Sequence, residues 1–295
     1  MDPIAMAVDE SAIRRLSSVY AIAADQRDGG TATMTSVPQS YITLAHELAD
    51  AAGEIIRGYY RTPVAIVDKS DESPVTVADR DSEAAMRKII NAKAPGHGIY
   101  GEEWGIENPD AEWVWVLDPV DGTKAFISGV PTFGTLIALL HNGVPVLGVI
   151  NQCISHERWL GVAGQPTRLN GQEIKVRACP ELKQASLFAT APEMFKGSDL
   201  TAWETLRAQV KLPRYGADCY AYGLLACGFV DLVVEASLQP YDYCSLVPIV
   251  EGAGGIMTDW QGNRLGLKSD GRVVAAGDRT LHAATLKVLA QEIQA

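Results

Sequence analysis

Apolar positions in this chain recur with two different periods, and stretches of each kind alternate from residue 38 onward. Over 41–60, Ile42, Leu44, Ala45, Leu48, Ala49, Ala52, Ile55, Ile56 and Tyr59 fall at helical spacing, which predicts an amphipathic helix. Residues 65–67 (Ala-Ile-Val) predict a short strand leading into Lys69 and a polar loop. A second helix is expected over 79–94, stopped by Pro95-Gly96. The run Trp113-Val-Trp-Val-Leu117 reads as a buried strand, and it ends abruptly in Asp118. Strands over 135–140 and 144–150 flank Asn142-Gly143, a strong hairpin signal; 158–163 extends the meander, and Asn170-Gly171 marks another turn.

The second half alternates differently. Strands are expected over 186–190, 230–235 and 273–276, and helices over 200–210, 219–227, 243–253 and 280–293, with Asp242 just ahead of the third helix. No internal repeat is visible, and two α/β layers should meet near residues 180–185. The first residues stand apart. They are rich in Ala, Asp, Ser and Gly, lack the apolar core of a secretory signal, and are broken by Gly29-Gly30. The expected organisation is an N-terminal extension (1–37), disordered or weakly docked, an α+β half (38–182) and an α/β half (183–295).

Composition narrows the class. A chain of 295 residues with 47% hydrophobic and 21% charged residues has the make-up of an ordinary globular protein. A net charge of −11 argues against non-specific nucleic-acid binding. No apolar run approaches the roughly 20 residues of a membrane span. Cys153, Cys179, Cys219, Cys227 and Cys244 form no C-x-x-C pair, which points to reduced thiols in a cytoplasmic protein. The five histidines (46, 97, 141, 156 and 282) are scattered and read as surface or packing residues.

The chemistry concentrates at the end of the 113–118 strand, where Asp118 is followed by Asp121-Gly122-Thr123. Two carboxylates at a buried strand end repel each other and lose hydration, so they call for a cation. The small residues after them can turn backbone N–H groups toward an anion. Asp118 and Asp121 could equally cap the turn. Glu102, Asp118, Asp121 and Asp242 all fall at element ends, and hard oxygen donors of this kind favour Mg2+ or Mn2+ over zinc.

Asp118-Pro-Val-Asp-Gly-Thr123, preceded by Gly101-Glu-Glu103 and followed by Tyr241-Asp242, resembles the inositol monophosphatase family of magnesium-dependent, lithium-sensitive phosphatases. Pro74-Val-Thr-Val-Ala-Asp79 and Glu251-Gly-Ala-Gly-Gly255 match further motifs of that family, and the resemblance runs from about residue 41 to the C-terminus. It implies an α/β (α+β) fold, a layered αβαβα sandwich of the inositol monophosphatase/fructose-bisphosphatase type, with most metal ligands in the first half. Asp121-Gly-Thr-Lys-Ala-Phe-Ile127, Phe133-Gly-Thr-Leu-Ile-Ala-Leu139, Gln152, Glu157-Arg-Trp159 and Arg214-Tyr-Gly-Ala-Asp-Cys-Tyr220 resemble its histidinol-phosphate phosphatase branch. The nucleotide bisphosphatases share the Asp-Gly-Thr-Lys, so Lys124 alone does not decide between them.

By that resemblance, Glu102, Asp118 and the Val120 carbonyl hold a first Mg2+, and Asp118, Asp121 and Asp242 a second. Glu102 helped by Asp79 forms a weaker third site, so two to three ions are implied. Mn2+ would substitute; Li+ and Ca2+ would inhibit. Thr123, hydrogen-bonded to Asp79, would help deprotonate and aim water, while the Gly122 and Thr123 N–H groups bind phosphate. Lys69 resembles a family lysine in the loop before Pro74. Glu235 stands seven residues before Asp242, at the spacing of the family's substrate-binding Glu.

A substrate carrying an ammonium and an imidazole needs carboxylates, and Asp218 and Glu235 are the candidates; Asp218 could instead cap the 219–227 helix. Arg214 could pair with Asp218 or reach the phosphate of a neighbouring subunit. The expected activity is hydrolysis of L-histidinol phosphate, with inositol 1-phosphate as the alternative and a 3′,5′-bisphosphate nucleotidase behind it. From a different class, a catalytically silent relative would keep the fold and act as a metal- or ligand-binding interaction protein without the reaction. The implied protein is a cytoplasmic homodimer that acts on a small phosphate monoester, with no nucleic-acid or membrane partner.

Overall fold

The computed structural model describes residues 36–62 and 74–293. The expected extension up to residue 35, the strand over 65–67 and Lys69 lie outside the described residues. Val37 is already buried in the core against the first helix.

The first half is built on an eight-stranded sheet. Its strands are β1 (Gly98–Gly101), β2 (Gly105–Glu107), β3 (Trp113–Asp121), β4 (Gly134–His141), β5 (Val144–Gln152), β6 (Glu157–Val162), β7 (Arg168–Leu169) and β8 (Gln172–Glu173), in the order β2-β1-β3-β4-β5-β6-β7-β8. Helices α1 (Gln39–Tyr59) and α2 (Pro74–Lys93) cover one face. There Leu48, Ile56, Met86 and Ile90 pack on Trp115, Leu117, Ile137 and Val149. Val114, Val116, Leu136 and Ile150 pack into the core on the other face. β3 is therefore buried on both sides, which is why it reads as an unbroken apolar run rather than an alternating one.

The chain then passes through α3 (Thr123–Ile127) and, in the second half, α4 (Ser198–Arg207), α5 (Tyr220–Ala226), α6 (Pro240–Tyr243), α7 (Leu246–Gly252) and α8 (Arg279–Ile293). A five-stranded sheet runs β10 (Leu212–Tyr215), β9 (Ser186–Ala189), β11 (Leu232–Glu235), β13 (Val273–Ala276), β12 (Ile256–Thr258). α5 and α7 lie between the two sheets: Tyr222, Leu225, Ile249 and Val250 share a core with Val116 and Leu136 on one side and Val233 and Ala275 on the other. α4 and α8 close the outer face through Trp203, Leu206, Leu281 and Leu289. The result is the αβαβα order of layers.

Glycine sets how closely these layers approach. A Cβ at Gly148 on β5 would lie 1.8 Å from the Ser245 carbonyl oxygen, and one at Gly161 on β6 2.4 Å from the Pro248 backbone. The start of α7 is thus pressed onto bare backbone. Gly252, Gly254 and Gly255, the glycine-rich motif, serve the same packing: a Cβ at 252 would meet Thr167 Oγ1 at 2.5 Å, one at 255 the Ala276 carbonyl at 2.9 Å, and Gly254 turns the chain at φ +91°.

Some expectations need correcting. α2 begins at Pro74, five residues before the expected start, so Asp79 sits inside a helix rather than at its first residue. The single helix expected over 243–253 is two pieces, and Asp242 belongs to the first of them. β2 and β10 are short edge strands with mostly exposed residues, so no apolar period marks them. β12, only three residues long, was also not foreseen.

Two glycine substitutions separate packing from backbone strain. Gly148→Ala should lose about 3 kcal/mol or more in urea unfolding, because rigid backbone must move. Gly143→Ala, at φ +79° with open space around it, should lose only about 1 kcal/mol. Equal losses would mean that the close contact of α7 with the sheet is not what requires glycine.

Candidate active site

β3 delivers the centre of the site. Residues three apart on a regular strand point to opposite faces. Between Asp118 and Asp121 the pairing with β4 shifts: Asp118 faces Leu136 and Asp121 faces Gly134. Three steps on β3 thus match two on β4, which is a one-residue bulge at Pro119-Val120. Pro119 has no N–H to lose there. The bulge reverses the parity, so Asp118 and Asp121 converge and, with Asp242, place carboxylate oxygens within 4.8 Å of one another.

Each carboxylate arrives by its own route. Asp242 is the third residue of α6 and accepts the Gln239 backbone N–H at 2.6 Å in a capping box. Asp121 accepts the Cys219 N–H at 2.7 Å. Glu102, at the end of β1, makes a side-chain contact with Asp118. Its turn is fixed by buried Glu83 of α2, which accepts the N–H groups of Glu103 and Trp104 at 2.8 and 3.2 Å and pairs with Arg87. Asp79 is 5% exposed and accepts a backbone hydrogen bond from Val120.

The electrostatics are those of a site awaiting positive charge. Asp118 is 2% exposed, and its Oδ1 and the Oδ1 of Asp79 have no hydrogen-bond partner. Burial, then Glu102 and Glu103, pushes Asp79 up to about 8. Burial, with Glu102 and Glu235 nearby, pushes Asp242 up to about 7. Asp118 and Asp121 are pushed well above the usual carboxylate range, first by burial and then by their acidic neighbours. Buried polar atoms are normally paired, so two orphaned carboxylate oxygens in an all-oxygen cluster fit a hard divalent cation.

A family model described as the inositol monophosphatase family matches residues 38–294. The chain belongs to that family. It is similar to the chloroplastic bifunctional phosphatase IMPL2 of Arabidopsis thaliana, 51% identical over 84% of this chain and 75% of the relative. It is 36% identical to a histidinol-phosphatase of Chlorobaculum parvum, over 79% of this chain and 91% of that one. Among solved structures, an inositol monophosphatase from Zymomonas mobilis is 50% identical with a TM-score of 0.82, covering 85% of this chain and 98% of that chain. The protein is therefore an inositol monophosphatase-family phosphatase, and the family is metal-dependent.

Within this phosphatase, Gly122 is left-handed (φ +87°) at the start of α3. Asp218 packs directly on it: a Cβ at 122 would lie 3.0 Å from the Asp218 side chain. Asp218 is itself left-handed, at φ +45°, and makes no side-chain cap on α5, so the capping alternative is not what its carboxylate does. Burial, followed by Glu235, pushes Asp218 up to about 6, while Lys124 pulls it down. Glu235 is buried, with its oxygens accepting the Thr190 N–H at 2.7 Å and the Tyr222 hydroxyl at 2.8 Å.

The expected Thr123–Asp79 contact is absent, and so is the pairing with Asp218 that was one of the two alternatives for Arg214. The Thr123 hydroxyl donates to the Val120 carbonyl at 3.3 Å, not to Asp79. Since Asp79 takes its backbone hydrogen bond from Val120, the two side chains are joined through that one peptide residue. Arg214 is exposed on edge strand β10 with its guanidinium over the Phe188 ring (5.9 Å to the centroid), not on Asp218. Sequence reasoning also missed the supports: Glu83, Cys219 and Tyr222 act across long separations that leave no local signal. Gln239 could have been found, since Gln-Pro-Tyr-Asp carries proline at the first helical position and an acid at the third.

A pH dependence follows. Without metal, the folded protein gives up the protons of Asp218, Asp242 and Asp79 only at about pH 6, 7 and 8, where an unfolded chain, with carboxylates near 4, has already released them. More protons bound in the folded state means that stability falls as pH rises through this window. The metal-free protein should therefore melt at a lower temperature at pH 8 than at pH 6.5 in calorimetry with chelator, and a divalent cation should remove the slope. A flat or rising profile without metal would contradict the crowded-carboxylate description.

Proposed function

We propose that this phosphatase hydrolyses L-histidinol phosphate to L-histidinol and inorganic phosphate, with Mg2+ as its metal. The position of Asp218 carries this reading. It lies against the Gly122 turn, next to Glu235 and in the field of Lys124. Phosphate held at that turn would place the rest of the substrate beside an acidic pair, which suits an ammonium or imidazolium. Relatives named histidinol-phosphatase support the same choice. An inositol ring would also find acceptors there, which keeps inositol 1-phosphate as the second reading; the Zymomonas mobilis structure favours it.

Mg2+ would be held by Glu102, Asp118, the Val120 carbonyl, Asp121 and Asp242, with Asp79 assisting at a third position. Bound there, it supplies Lewis acidity that acidifies water and neutralises charge on the phosphate and on the leaving oxygen. The Gly122 and Thr123 N–H groups orient the phosphate for in-line attack. Thr123 aims the attacking water, and Asp79, with one oxygen unpartnered, accepts its proton. Asp218 orients the cationic end, and Glu235, fixed by Thr190 and Tyr222, supports it. No covalent intermediate with the protein is required.

Phosphate release measured with Mg2+ on histidinol phosphate, inositol 1-phosphate and adenosine 3′,5′-bisphosphate should give the highest kcat/KM on the first. A higher value on inositol phosphate would overturn the substrate assignment, and no release from any would overturn the enzymatic reading. Asp121→Asn should abolish turnover with an unchanged circular dichroism spectrum; retained turnover would remove it from the metal set. Asp218→Asn should raise KM for histidinol phosphate about 10-fold or more, the worth of one charge-assisted hydrogen bond, while changing kcat little. An unchanged KM would take Asp218 out of the substrate site.

A further inference from the structure

A polar cavity lies on the α1 side of the eight-stranded sheet, and none of its lining residues belongs to the acidic cluster. Its volume is about 790 Å³, and it opens between α1, the ends of β5 and β6, and the β7–β8 hairpin. That volume falls within the range of small-molecule sites. In a chain of net charge −11, the cavity gathers Arg57, Arg158 and Arg168 together with His46 and His156.

Its floor is fixed in advance. The Asn151 side chain donates to the Ala49 carbonyl at 3.1 Å and accepts from Arg158 Nε at 2.8 Å. Arg158 also reaches His46 Nδ1 at 3.2 Å and Asp50 at 2.6 Å. A guanidinium can only donate, so His46 Nδ1 is the acceptor and its Nε2 carries the hydrogen. Burial and Arg158 both lower the pKa of His46, in keeping with a neutral ring. Arg158 is thus held by three side chains, none of which serves the phosphatase chemistry.

Arg57 supplies the open cationic group. It folds back along α1 until its Nη1 lies 3.4 Å from where a Gly53 Cβ would stand. Gly53 leaves the space for it, and Arg57 has no carboxylate partner among the described residues. Arg168 is partly engaged by Glu173 and by the Gly171 carbonyl. Asp50 and Glu54 stand on the α1 side, and Ile42, Leu160 and Val162 give the cavity an apolar wall.

We propose that this cavity binds a small organic dianion, a phosphate monoester with an apolar or ring-bearing body, at a site separate from the catalytic carboxylates. Arg57 would take the dianion as a bidentate fork, with Arg168 adding the donors that Glu173 and Gly171 leave free, beside the fixed Arg158. The apolar wall would take the body. A monoanionic carboxylate satisfies fewer of these donors and should bind less tightly.

Metal-free protein provides the test, because in chelator the acidic cluster repels anions and no substrate turns over. Isothermal titration in chelator with phenyl phosphate, inorganic phosphate and benzoate should show one saturable site per chain, tightest for phenyl phosphate. Arg57→Gln and Arg168→Gln, both on exposed side chains, should each weaken phenyl phosphate about 10-fold, with melting temperatures unchanged. The proposal fails if metal-free protein shows no saturable binding, if both variants bind as wild type does, or if benzoate binds as tightly as phenyl phosphate. None of these outcomes depends on which monoester the catalytic site hydrolyses.

Discussion

Five carboxylates, those of Asp79, Glu102, Asp118, Asp121 and Asp242, converge where a strand buried on both faces runs out. Their mutual repulsion is the constraint around which the rest is arranged. Two unit charges ~4 Å apart repel by about 4 kcal/mol at an effective dielectric of ~20, so the set cannot all be ionised without a cation. The fold holds them in place regardless, by giving single backbone donors to three of them. Cys219 N–H holds Asp121, Gln239 N–H holds Asp242, and Val120 holds Asp79. One N–H per carboxylate fixes its direction and leaves acceptor capacity for a metal. Asp118, at the centre, keeps Oδ1 free of any protein donor.

Direction matters as much as charge, and here the backbone does most of the work. Without the bulge at Pro119-Val120, Asp121 would point to the face opposite Asp118, and the two could not share a ligand. Asp242 depends on the approach of α7 to the sheet, because α6 and α7 are nearly continuous and α7 rests on Gly148 and Gly161. Asp79 depends on α2, whose buried Glu83 also fastens the Glu102 turn. Packing glycines outside the cluster therefore help set the geometry of its carboxylates.

The sequence was most legible where chemistry and local conformation coincide. Asp118-Pro-Val-Asp-Gly-Thr123 is both a strand end and the source of two carboxylates of the cluster. Asn142 (φ +50°) and Gly143 (φ +79°) form the turn that the dipeptide predicts, as do Asn170 and Gly171. What could not be read were contacts made across the fold. The spacing of Thr123 and Asp79 gave no means of seeing that both would turn to Val120 rather than to each other. Arg214 and Asp218 are four residues apart, yet strand β10 carries the arginine outward while a left-handed turn carries the aspartate inward. β2 and β10 escaped notice because exposed edge strands have little apolar surface to pattern.

The backbone at Asp218 joins that residue and the Gly122 turn into one structural unit. A non-glycine residue in the left-handed region costs on the order of 1 kcal/mol, and such strain tends to persist where a side chain is needed in one place. Asparagine or glycine would relieve it, but neither would bring a carboxylate onto Gly122. Glu235 is different in kind: its oxygens are already taken by Thr190 and Tyr222, and its effect on Asp218 is to reinforce the negative potential there. Gly122 must itself be glycine for two reasons, its positive φ and the 3.0 Å that separates its missing Cβ from Asp218. A side chain there would disturb the turn and displace the carboxylate beside it in the same movement, so under the proposed function the holding of phosphate and the choice of substrate are coupled.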